Sequence, residues 1–201
     1  MTRLVLVRHG EKAEGEGALI GHTDVELSTK GFADVAALAA SWSDAPPAQV
    51  IASDLRRTVQ SAQPLIDRFG LLLTTEPRLR EMHFGEWEGK RWEEVEASHA
   101  TDAKRWGERW FDAQVPGGES YPDVAARAGA WLAEFRHAPV SPTVVFSHSG
   151  TIRALLCVIF DQPLSTAFDA GCSLAHVHTV EWRDGVPISL GANRPDFSLG
   201  R

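Results

Sequence analysis

The chain has 201 residues, 43% of them hydrophobic and 23% charged, a balance that suits one globular domain with a substantial core and excludes a disordered or fibrous protein. A formal net charge of -7, without any run rich in lysine or arginine, excludes nucleic acid and anionic membrane as partners attracted by overall charge. The two cysteines, Cys157 and Cys172, cannot form a disulfide framework, and the longest apolar run is broken by Arg153 and Asp161 well short of a bilayer span, so a reduced, cytoplasmic enzyme without a leader is the expectation.

In chain order, the first element is the apolar run Leu4, Val5, Leu6 and Val7, short and rich in branched residues, as strands buried on both faces of a parallel sheet are. Residues 49–53 and 143–146 have the same character. Helical spacing follows the first strand at Phe32, Val35, Leu38 and Trp42, with Ser28 as the cap. A second helix is predicted through Leu55, Val59, Ala62, Ile66 and Phe69, kinked at Pro64. A third carries Val124, Ala128, Trp131, Leu132 and Phe135, capped by Ser120 with Asp123 answering three residues later. Residues 173–190 alternate about the turn Arg183, Asp184 and Gly185, the pattern of a closing hairpin.

Strands alternating with helices predict an α/β fold: a three-layer α/β/α sandwich around a mostly parallel sheet, in a single domain over residues 1–201. Residues 80–118 break the rhythm with four of the seven tryptophans (Trp87, Trp92, Trp106, Trp110) and many acids. They read as a small cap-like helical insertion over the active-site edge, in which most of the tryptophans simply hold the lobe together.

Ligands of open α/β sheets bind beyond the carboxyl ends of the strands. There the first strand ends in Arg8, His9 and Gly10, and the strand at 143–146 leads into Ser147, His148, Ser149 and Gly150. The strand at 49–53 runs into Arg56 and Arg57 at the start of a helix. Two histidines and two or three arginines on one edge suit a compact oxyanion, phosphate best of all, with Gly10 and Ser149 letting the backbone approach closely. Four or five charge-assisted hydrogen bonds of about 1.5 to 3 kcal/mol each would hold a phosphoryl group without a metal. A neutral imidazole can also accept that group covalently. An isolated histidine would more often be a satisfied core residue, but His9 is flanked by Arg8 and Gly10 and mirrored by His148.

The blocks at 6–11 (LVRHGE), 53–62 (SDLRRTVQSA), 79–89 (LREMHFGEWEG), 116–120 (PGGES) and 145–156 (VFSHSGTIRALL) together resemble the histidine phosphatase, or phosphoglycerate mutase-like, superfamily. The resemblance implies that His9 is the phosphorylated nucleophile, that Arg8, Arg57 and His148 complete the phosphate pocket, and that Glu81 is the acid that protonates the leaving alcohol. It implies no cofactor and no metal. Arg56 falls outside the pattern and reads as a rim residue. A salt bridge is the expected role of Arg153. Glu11 either holds an arginine or sits on its loop, and His176 with His178 lacks a third metal ligand at a persuasive spacing.

Mutases of the family carry an asparagine where this chain has Gly15 and a tyrosine where it has Phe84, so water is expected to win over phosphoryl retention. Residues 21–31, residues 84–95 and the tryptophan-bearing insertion look instead like the α-ribazole phosphatases, with Trp87 or Trp92 available to stack on an aromatic base. The expectation is a metal-independent phosphomonoesterase acting on a small phosphorylated metabolite, α-ribazole 5′-phosphate among them. The alternatives are a cofactor-dependent phosphoglycerate mutase and a non-catalytic phosphate-binding module. A homo-oligomer stays open.

Overall fold

In the computed structural model, which describes residues 1–15, 17–43 and 45–192, a six-stranded sheet is covered by helices on both faces. The elements are β1 (Thr2–Arg8), α1 (Thr29–Ala40), β2 (Gln49–Ala52), α2 (Arg56–Phe69), β3 (Leu73–Thr75), α3 (Trp92–Ser98), α4 (Ala100–Arg109), α5 (Tyr121–His137), β4 (Thr143–Ser147), α6 (Ser149–Phe160), β5 (Val177–Arg183) and β6 (Val186–Ala192). The strand order is β3-β2-β4-β1-β5-β6. The first four pair in parallel, while β5 runs antiparallel to β1 and to β6.

Side chains alternate across a strand, and β1 uses both faces. Leu4 and Leu6 join Leu132, Phe135, Ile152 and Leu155 in the core beneath α5 and α6. Val5 and Val7 join Leu38, Leu65, Val144 and Phe146 beneath α1 and α2. Both capping predictions hold: Ser28 Oγ accepts from Gly31 N, and Ser120 and Asp123 form a reciprocal box. The β5–β6 turn places Asp184 and Gly185 at φ 50° and 82°, the left-handed pair that a two-residue hairpin needs.

The structure departs from the sequence reading in three places. Phe32 is 44% exposed, because α1 packs through Gly31, Val35, Leu38 and Ala39 instead. Gly31 sets that rotation: a Cβ there would lie 2.2 Å from the Glu11 carbonyl oxygen. The buried side of α2 includes Arg57, Thr58 and Ser61, with Val59 only half-buried, so this helix turns a polar stripe inward; it continues through Pro64. The third is β3, which carried no readable strand pattern.

Trp87 is 1% exposed and meets Trp92 and Trp106 edge to face at 6.0 and 5.8 Å. With Val95, Ala103 and Val115 it forms one apolar cluster against Val124 of α5 and Ala154 and Cys157 of α6. Buried in this way, Trp87 has no face to offer an aromatic base.

Candidate active site

Topology brings His9 and His148 together. Strands β1 and β4 are parallel neighbours in a register that sets Arg8 opposite Ser147, so the next residue of each emerges at the same level, about 4.8 Å apart across the sheet. His9 N extends the ladder to Ser147 O at 3.0 Å, and the ring centroids stand 5.2 Å apart with planes at 61°. On the other side of β4, Ser53 follows β2 and donates its N–H to Phe146 O at 2.9 Å.

His9 Nδ1 lies 2.6 Å from Gly10 O. A carbonyl only accepts, so the proton is on Nδ1 and the lone pair on Nε2. Gly10, expected among the phosphate-binding residues, gives its own N–H to Ser61 Oγ at 3.0 Å and lies against Gly31. Its contribution is to fix the His9 ring. Burial first, then the positive charges of Arg57 and Arg8, hold the His9 pKa well below the ordinary imidazole value, so the ring is neutral at pH 7.

His148 is neutral for the same reasons: burial, then Arg57 and His9. Its Nδ1 accepts from Arg57 Nε at 3.2 Å, which leaves the Nε2 proton to Ser53 Oγ at 3.0 Å. Arg57 is fully buried and also donates to Thr23 O at 2.9 Å and Gly21 O at 2.6 Å. Two of its five N–H groups are left for an anion. Arg8 donates through Nη1 to Cys172 O at 2.5 Å, while its buried Nε has no partner among the described residues. An orphaned guanidinium donor of this kind calls for an acceptor.

Glu81 lies at the amino end of α6, where Oε2 accepts from Gly150 N at 3.2 Å and Oε1 from Met82 N at 3.0 Å. The approach requires glycine: a Cβ on residue 150 would stand 2.4 Å from Glu81 Oε1. The Glu81 carbonyl accepts from His22 Nε2 at 3.0 Å and Arg127 Nη2 at 2.9 Å. Arg127 Nη1 also reaches the carbonyls of Arg78 and Arg80, each at 2.7 Å, and its Nε is paired with Glu119 at 2.7 Å. Glu119 in turn accepts from His83 N at 2.9 Å.

The Glu88 carboxylate accepts from Gly21 N, His22 N, Thr23 Oγ1 and Phe84 N at 3.1, 2.8, 2.7 and 3.1 Å. Burial works to raise its pKa, but these bonds hold it below the usual carboxylate value. Two loops about sixty residues apart in sequence are thereby joined at the pocket.

The other candidates fall as follows. Ser149 begins α6, and its Oγ accepts from Arg153 Nη1. Arg153 makes no ion pair among the described residues; it donates to Ala170 O at 3.1 Å and lies 4.6 Å over the Phe168 ring, so the expected salt bridge is replaced by carbonyl, hydroxyl and ring contacts. Arg56 is on the rim, paired with Glu26 at 2.9 Å. Among the described residues Glu11 holds no arginine; it accepts from Ser28 Oγ at 2.7 Å. His176 and His178 stack at 4.3 Å, and His178 Nε2 donates to Gly171 O. Sequence reasoning missed Ser53, Ser61, His22, Glu88, Glu119 and Arg127. Ser53 and Ser61 stood inside the block at 53–62, Glu88 inside that at 79–89 and Glu119 inside that at 116–120, the one signal that could have found them.

A buried neutral imidazole with a free Nε2, beside two arginines and a carboxyl group, is equipped for phosphoryl transfer. The profile of the Histidine phosphatase superfamily (branch 1) matches residues 4–194, and the chain belongs to that family. It is 33% identical over 175 residues to the glucosyl-3-phosphoglycerate phosphatase of Mycobacterium tuberculosis, covering 81% of this chain and 77% of that one. It is 32% identical over 195 residues to phosphoserine phosphatase 1 of Hydrogenobacter thermophilus, covering 96% and 92%. The α-ribazole phosphatase of Shigella flexneri superposes over 100% of both chains with a TM-score of 0.91 at 21% identity, a likeness of fold. The chain is a phosphoric monoester hydrolase. Among its described residues no helix is long and apolar enough to cross a membrane.

Proposed function

We propose that this chain hydrolyses a small phosphorylated metabolite without a metal, through a phosphohistidine on His9. The lone pair of His9 Nε2 attacks phosphorus in line, and the P–O ester bond breaks as Glu81 gives its carboxyl proton to the departing alcohol. The Glu81 carboxylate then takes a proton from water, the water oxygen bonds to phosphorus, and the P–N bond breaks to return the lone pair to Nε2. Proton delivery to an alkoxide is worth about 10²- to 10⁴-fold. Arg8 Nε, the two uncommitted N–H groups of Arg57 and the backbone at Ser149 would hold the phosphoryl oxygens, with His148 keeping Arg57 in place.

The observation that carries this reading is the His9 tautomer: Nδ1 tied to Gly10 O leaves Nε2 as a nucleophile in a cationic pocket. Hydrolysis rather than phosphoryl retention is supported by Gly15 and by Phe84, which packs on the lobe's apolar cluster. α-Ribazole 5′-phosphate, glucosyl-3-phosphoglycerate and phosphoserine are the substrates to try first.

The test is turnover of p-nitrophenyl phosphate in excess EDTA, with rapid quenching to trap an acid-labile phosphoenzyme at His9. Undiminished turnover by His9→Ala would overturn the mechanism. Conversion of 3-phosphoglycerate to 2-phosphoglycerate without release of phosphate would make the chain a mutase, and phosphate binding without turnover would make it a sensor.

A further inference from the structure

In-line attack needs the His9 ring in one rotamer and one tautomer, and the Nδ1 bond to Gly10 O supplies both only if that carbonyl cannot swing away. Gly10 has no side chain to hold it, so the restraint comes from its neighbours. After it, Glu11 is tied to the start of α1: its carbonyl accepts from Ser28 N at 2.8 Å and its carboxylate from Ser28 Oγ at 2.7 Å. Before it, the peptide between His9 and Gly10 is gripped on both edges. Its carbonyl accepts from Ala175 N at 3.2 Å, and its N–H donates to Ser61 Oγ at 3.0 Å. Ala175 makes its bond at φ 52°, a left-handed conformation uncommon for a residue with a Cβ.

Ser61 is 1% exposed and lies on the buried stripe of α2 that also carries Arg57, one turn earlier. Its hydroxyl proton goes to Arg57 O at 2.6 Å, which leaves its oxygen free to accept the Gly10 N–H. A serine inside a helix commonly spends its hydroxyl on the carbonyl four residues back, and that bond alone would call for no further role. The second bond crosses to a loop 51 residues away in sequence. One side chain thus spans the helix of Arg57, whose guanidinium reaches His148 Nδ1, and the loop that bears the nucleophile.

We propose that Ser61 is a positioning residue for phosphoryl transfer: by holding the His9–Gly10 peptide against the helix of Arg57, it keeps Gly10 O on His9 Nδ1 and aligns Nε2 with a phosphoryl group bound by Arg57. This rests on the phosphohistidine reading above and adds to it a side chain that touches neither the substrate nor the reacting atoms.

Ser61→Ala tests it, because it leaves the Gly10 N–H buried without an acceptor. With p-nitrophenyl phosphate, kcat should fall at least about tenfold while KM stays within about threefold of wild type, since the arginine donors are untouched. Ser61→Thr keeps the oxygen and should recover most of kcat. Long-range nitrogen–proton NMR at pH 7 gives a readout that lost stability alone would not move: His9 protonated on Nε2, undetected in the wild type, should appear in Ser61→Ala. If circular dichroism shows that Ser61→Ala does not fold, Ser61→Cys, whose sulfur accepts only weakly, takes its place. Unhindered exchange of the Gly10 amide in the wild type, a kcat within about twofold of wild type in the folded variant, an unchanged His9 tautomer, a rise in KM at constant kcat, or a Ser61→Thr no faster than Ser61→Ala would overturn the assignment. A phosphoenzyme trapped in the wild type would leave the mechanism standing in each of those cases. Failure of the wild type to form one would instead remove the phosphohistidine reading, and this proposal with it.

Discussion

His9 and His148 stand 5.2 Å apart at the ends of adjacent parallel strands, and their neighbours impose opposite neutral tautomers on them. Gly10 O keeps the His9 proton on Nδ1, whereas Arg57 Nε keeps the His148 proton on Nε2. Long-range nitrogen–proton NMR at pH 7 should show one ring of each form. Neither ring should titrate at its ordinary value near 6.5, because burial and Arg57 lower both. A proton on Nε2 of His9 would refute the assignment of that nitrogen as the nucleophile.

The same burial makes stability depend on pH. Each histidine has a folded pKa below its unfolded one, so between the two the unfolded chain binds more protons and stability falls as pH falls. The contribution is complete above the unfolded value and declines below it, with a limiting slope of about 1.4 kcal/mol per pH unit for each ring. Urea unfolding from pH 7.5 to 5.5 should show this loss, and His9→Gln should flatten part of it. A midpoint independent of pH over this range would count against both buried rings.

In the proposed mechanism Gly150 serves the acid, Glu81, rather than the fold. In Gly150→Ala the new methyl group would meet Glu81 Oε1 at 2.4 Å, and a carboxylate can swing aside at little cost. The expected result is a stability change under about 1 kcal/mol. Turnover should fall about a hundredfold, the low end of what proton delivery contributes. Wild-type turnover would show that Glu81 works from another position.

In the proposed mechanism Arg127 positions the acid, since it holds three carbonyls of the loop that bears Glu81. Arg127→Met should lower kcat at least about tenfold with little change in KM, and should cost about 2 to 3 kcal/mol in unfolding assays. Arg127→Lys keeps the charge but loses the fork, so partial recovery of kcat is expected. A rise in KM at constant kcat would place its effect in phosphate binding instead.

Much of this was legible in the sequence. The runs at Leu4 and Thr143 are apolar on both faces, as buried parallel strands must be, and Ser120 with Asp123 marks the start of α5. Strand β3 was not legible, because Leu73, Thr74 and Thr75 form a three-residue edge strand with largely open faces. Phe32 misled because an apolar spacing does not reveal which side of a helix a close glycine contact will select. Arg8, His9 and His148 lay at strand ends, where pattern and topology coincide, whereas Glu81 was legible only through the block that surrounds it. The residues that hold them were less legible: Glu88 stood in a quoted block, but beside Glu86, and near Glu93, Glu94 and Glu96, its pattern did not set it apart, and the fold shows what it clasps.

Glu88 also has a bearing on protein engineering. Because one side chain clasps Gly21, His22, Thr23 and Phe84, the segments on either side of the pocket behave as a single exchangeable cassette. A graft that imports residues 19–25 from a relative to alter selectivity must import the partner segment around 81–88 as well, or the transplanted loop will arrive without its clasp.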